Sequence, residues 1–100
     1  MNALTKVSDI TVTDLINYIR IDAVTTDESD TLNTLLSVAK SYVEQYTGRT
    51  IEELDGLQDV VIVVLILVQD MWDNRTLYVD TTNVNKVVES ILNLHAVNLL

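Results

Sequence analysis

The chain has no cysteine, no proline and two glycines among its 100 residues. Without cysteine there is no disulfide, no thiolate metal ligand and no cysteine nucleophile, and a reducing, intracellular setting is compatible with that. The shortage of proline and glycine removes the residues that make tight turns. With 48% hydrophobic residues, it favours helices joined by polar loops. Basic residues are also few: six Lys and Arg against fifteen Asp and Glu give a formal charge of −9. A surface of that sign repels phosphates and is ill suited to holding nucleic acid, although a negative wall suits DNA that must pass without being held. The first nine residues carry no basic stretch followed by an apolar block, so they do not read as a signal peptide. The apolar run at 60–68 is bracketed by Asp59 and Asp70 and falls well short of the roughly 20 residues of a membrane span, so no membrane partner is expected.

A chain of this length has room for one core, and residues 1–100 are expected to form one all-α domain of about four helices. Leu15, Ile16 and Ile19 predict a first helix near 14–20, with Thr13 as its N-cap. The acidic stretch Asp22 to Asp30 reads as a solvated loop. Leu32, Leu35, Leu36, Ala39, Tyr42, Val43 and Tyr46 recur at i, i+3, i+4 and i+7, predicting a second helix over 31–46, capped by Ser29 or Asp30 and closed by Gly48. Ile51 to Gly56 reads as a brief turn.

The run at 60–68 contains five valines and fits a buried strand on propensity, but its length and the stripe Leu57, Val61, Val64, Leu65, Val68, Met71, Trp72 predict a third helix over 57–74. A helix apolar on nearly every side needs cover on every side, more than a bundle of four short helices normally gives. A second copy of the chain is the expected cover. Thr76 to Thr82 reads as a polar loop. Val84, Val87, Val88, Ile91, Leu92 and His95 then mark a fourth helix over 84–96, capped by Asn83 or Asn85. Residues 96–100 form an apolar tail.

Chemistry is sparse. His95, the lone histidine, lies on an apolar helix face where packing is the commoner role, and no orienting partner or pocket accompanies it. Asp70 and Asp73 share a helix face but offer fewer oxygens than a magnesium or calcium site needs, and a solvated acidic edge is the stronger reading. Glu52, Glu53, Asp55 and Asp59 are either a solubilising surface or a negative channel wall. Gly48 and Gly56 lack a Walker lysine, and no serine sits in an elbow motif. The chain is therefore expected to be no enzyme and to need no cofactor or metal. Trp72 reads as core, although Trp and Arg also anchor interfaces.

The order of signals resembles the head-to-tail connector family of tailed bacteriophages over roughly residues 8–96. The resemblance lies in Ile10, Thr11, Val12, Thr13, Asp14 and Leu15 leading to Tyr18, Ile19, Arg20, Ile21 and Asp22. It continues in Thr26 to Asp30 leading to Leu35, Leu36, Ala39, Tyr42, Val43, Tyr46, Thr47, Gly48 and Arg49. It ends in Leu65, Leu67, Val68, Met71, Trp72, Asp73, Asn74 and Arg75. The valine-rich third helix and the short tail after His95 depart from the family pattern. The resemblance implies a structural virion protein of the head–tail neck, assembled in the host cytoplasm. It also implies a homo-oligomeric ring of about twelve subunits that extends the portal's DNA channel and receives a stopper or tail-completion protein.

On that reading Val61, Leu65, Val68, Trp72 and Arg75 supply core and lateral contacts, Glu52, Glu53, Asp55 and Asp59 face the channel, and Val97, Leu99 and Leu100 dock on the portal. Two other classes stay open. One is an acidic DNA mimic with evenly spaced carboxylates, and the other is a small helical regulatory adaptor with an open apolar cleft.

Overall fold

The computed structural model describes residues 6–21, 24–79 and 85–96. After a 3-10 turn at Val7–Asp9, the order is α1 (Val12–Ile19), α2 (Thr26–Thr47), α3 (Ile51–Leu54), α4 (Gln58–Asn74) and α5 (Lys86–His95), with no strand among the described residues. The all-α expectation holds, and the four longer helices are those the periodicity predicts.

Local chemistry explains where they start. Thr11, Thr25 and Thr50 each accept a bond from the backbone N–H three residues on, while Asp14, Glu28 and Glu53 reach back to the threonine's own N–H. Each of these capping boxes satisfies two donors that a helix leaves unpaired. The cap of α1 is thus Thr11 and not Thr13, and α2 starts at Thr26 and not Thr31. Thr26 to Asp30, expected in a loop, form the first turn of α2, because carboxylates there complement the helix dipole. The Thr50 box converts the turn expected at 51–56 into the short α3, which buries Leu54. Asn85 caps α5, its Oδ1 accepting from the Val87 N–H at 2.8 Å. Asn83, Val84 and the loop residues 80–82 lie outside the described residues.

The helix ends are equally specific. Gly48 closes α2 at φ 70°, the left-handed region that glycine enters without a Cβ clash. Arg20 and Arg75 close α1 and α4 in the same region, at φ 65° and 55°. After α4, Arg75 N–H donates to the Trp72 carbonyl and Thr76 N–H to the Met71 carbonyl, the paired bonds of a Schellman end.

The run at 60–68 is helical, and it is the centre of the molecule. Val60, Val61, Val63, Val64, Leu65, Leu67, Val68, Met71 and Trp72 are all buried within the single chain. The expectation that four helices cannot cover this rod is overturned. α2, α5, α1 and the N-terminal 3-10 turn all pack on it, and the N-terminal segment through α1 contributes buried Val7, Ile10 and Leu15. Only Ile62 stays open, at 52%, with Ile66 half-buried beside it. Self-association is therefore not needed to hide α4.

Candidate interaction surfaces

The end of the molecule where α2 stops and α4 starts is held by polar contacts between residues far apart in sequence. His95 Nε2 lies 2.9 and 2.8 Å from the two carboxylate oxygens of Asp59, joining the last turn of α5 to the first turn of α4. Arg49 donates from Nε to the His95 carbonyl at 2.6 Å and sits 3.6 Å from Glu53. Glu44 accepts from the Ile51 N–H at 3.1 Å, fixing the corner between α2 and α3. Ser8 donates its backbone N–H and its hydroxyl to Asp55, at 3.0 and 2.7 Å, and these bonds hold the Asp55 carboxyl below its ordinary pKa. His95 thus has the orienting partner that its sequence context did not reveal, and its role is to tie helices together.

These contacts absorb most of the acidic group at 52–59. Glu53 is a capping residue, Asp55 anchors the N-terminal turn and Asp59 holds His95, while Glu52 is exposed and has no bonded partner among the described residues. Three of the four acids expected to line a channel therefore already bind their own chain.

Val61, Leu65, Val68 and Trp72 lie in the core, at 3%, 6%, 0% and 9% exposure, and present almost nothing to a neighbour. Arg75 is exposed and lays its guanidinium over the Trp72 ring, 4.8 Å from the centroid, a cation–π contact. Asn74 Nδ2 donates back to the Asp70 carbonyl at 2.8 Å. The sequence Trp72-Asp73-Asn74-Arg75 is therefore a helix-ending device with a local physical role. Val97, Leu99 and Leu100 lie outside the described residues.

The surface carries exposed apolar side chains: Ile62, Leu77, Tyr78, Val87 and Leu94. Tyr78 and Val79 close an open hollow of about 350 Å³ against Val38, Ser41 and Tyr42 of α2. Beside it, the Tyr42 and Tyr46 rings pack at 5.9 Å, and the Tyr46 hydroxyl donates to Asn93 Oδ1 at 2.5 Å, linking α2 to α5. Burial, then Tyr46 and Glu89, raise the pKa of the Tyr42 phenol. A second hollow, about 540 Å³ and polar, lies between Lys6 and the residues 55–59.

Asp70 and Asp73 stand at the far end of α4. Burial first, and Asp73 second, push the Asp70 carboxyl above its ordinary pKa. Among the described residues no group of three or more His, Asp and Glu gathers into a metal site.

No protein-family model, no curated protein and no solved structure matches this chain. What it does is therefore argued from its own residues.

Proposed function

We propose that the chain is a structural connector subunit of a tailed-phage neck, which joins the portal ring to the stopper or tail and extends the DNA channel. One observation carries the reading. The residues that resemble the connector family occur in family order, and the described part of each group follows a helix of this fold: Ile10 to Ile21 around α1, Thr26 to Arg49 along α2, and Leu65 to Arg75 at the close of α4. A chain with a net charge of −9 suits a part that borders passing DNA without gripping it.

Because α4 is enclosed, lateral contacts in such a ring fall to exposed apolar residues beyond its end, Leu77 and Tyr78, and not to Val61, Leu65, Val68 and Trp72. The acidic-mimic alternative is weaker on the same geometry. Asp14, Glu28, Glu44, Glu53, Asp55 and Asp59 are bonded within the chain, which takes six of the fifteen carboxylates out of any evenly spaced row.

Native mass spectrometry of the chain, alone and with the portal ring, tests the proposal. A discrete ring added to the portal, lost in the double variant Leu77→Asp/Tyr78→Asp, is the expected result. A chain that never associates with the portal overturns it.

A further inference from the structure

The His95–Asp59 contact sets α5 antiparallel to α4, and the Tyr46–Asn93 hydrogen bond marks the flank of α5 that faces α2. At about 100° per residue, Val87, Ile91 and Leu94 then fall on the opposite flank of α5. Asp59, which meets α5, lies about 60° around α4 from Ile62 and about 20° from Ile66, so helical geometry sets that flank beside the one open edge of α4, where Ile62 and Ile66 lie one turn apart. By that placement these five side chains, all at least partly exposed, line the outer seam between the two helices as an apolar groove. Val87 is 55% exposed, Leu94 75% and Ile62 52%, so the fold leaves the groove open. The edge of α4 continues through Gln69 to Asp73, with Asp70 beside it, so the groove ends in two carboxylates. Among the described residues the ion pairs are Arg49–Glu53 and His95–Asp59, and no described cation lies within ion-pair distance of Asp70 or Asp73.

We propose that this groove receives an amphipathic helix of a partner protein, apolar on the face that enters and carrying Lys or Arg at the end that meets Asp70 and Asp73. Charge complementarity selects this occupant. A second copy of the chain brings a net charge of −9 toward two uncompensated carboxylates, whereas a basic helix supplies the missing cations. The geometry matches helix-in-groove recognition, in which apolar anchors at i, i+3 or i+4 and i+7 fill a cleft between two helices. Burial and mutual repulsion raise the Asp70 carboxyl, as expected for a site that gains when a cation arrives. The inference stands apart from the connector proposal, because it uses residues other than Leu77 and Tyr78 and needs no ring.

The test uses the full chain, labelled with nitrogen-15, and two synthetic helical peptides of about 18 residues, one built of Leu and Lys and the other of Leu and Glu. Amide shifts on titration should map to Ile62, Ile66, Asp70, Asp73, Val87, Ile91 and Leu94, for the Leu/Lys peptide alone. Ile62→Asp/Leu94→Asp should weaken its binding about tenfold or more, although the variant is more acidic and general charge attraction would bind it more tightly. Asp70→Asn/Asp73→Asn should weaken it as well. Because all four positions are on the surface, unchanged thermal melts separate lost binding from lost folding. Shifts spread over the whole acidic surface, tighter binding by the double Asp variant, equal binding of both peptides, or dimerisation through this face without peptide would each overturn the proposal.

Discussion

Single residues set the ends of this fold, and two of them do so at a steric cost. Arg20 and Arg75 occupy the left-handed region where a Cβ crowds the following carbonyl. Arg20 is exposed and makes no hydrogen bond through its side chain among the described residues, so Arg20→Gly should raise stability by about 0.5–1 kcal/mol, less than the full steric relief because glycine loses more chain entropy. A thermal melt checks it, and an unchanged or lower melting temperature counts against the strain argument. Arg75→Gly should gain less, because it also removes the guanidinium from the Trp72 ring.

Asp55 gives a pH prediction. Its folded pKa is depressed by Ser8, so its contribution is present above the unfolded carboxylate pKa and is lost as the pH falls through the folded value. Urea midpoints followed from about pH 7 to about pH 2 should fall less steeply for Asp55→Asn than for the native chain. Parallel curves would mean that the Ser8–Asp55 link contributes nothing.

At the scale of elements, the helices were legible where their signal is an apolar stripe and misread where it is a cap. The stripe from Leu32 to Tyr46 locates the body of α2 and ends one residue short of Thr47, but the Thr25–Glu28 box lies in a stretch whose charge imitates a loop. The pattern of threonine, two residues, then acid also occurs at Thr11–Asp14 and Thr50–Glu53, and would have placed α1 and α3 as well. A helix start is written in hydrogen-bonding side chains, which hydrophobic periodicity ignores. Removing one cap tests this reading: Thr25→Ala should cost about 1 kcal/mol and fray the first turn of α2. Amide exchange at Glu28 and Ser29 should rise while Val43 stays protected. Uniform loss of protection would show that the box belongs to the global unfolding unit and does not act locally.

At the scale of the molecule, α4 carries the core. Leu65 is 6% exposed between α4's neighbours, so Leu65→Ala should cost about 2–5 kcal/mol. Leu65→Asp should leave no cooperative unfolding transition in urea, since a carboxylate there has no partner. A folded Leu65→Asp chain would mean that the helix has more freedom to shift than its burial indicates. Ile62, three residues earlier, should accept Asp with little change in stability, because more than half of it already meets water. The contrast between these neighbours separates the enclosed faces of α4 from its one open edge.

The composition and the periodicity of apolar residues were enough to establish an all-helical chain, the span of its central helix and the lack of a membrane-length apolar segment, because these depend on neighbours along the backbone. Which faces remain open depends on neighbours across space. Nothing in the order of residues shows that the N-terminal turn folds over α4, that Asp59 meets His95 from 36 positions away in the chain, or that Ile62, Val87 and Leu94 stay exposed while their neighbours are buried. The apolar run therefore looked too wide for one chain to hide, and only its packing partners reduced it to a single exposed edge. The acids at 52–59 looked like a free surface for the same reason, until Ser8, Arg49 and His95 came to rest against three of them.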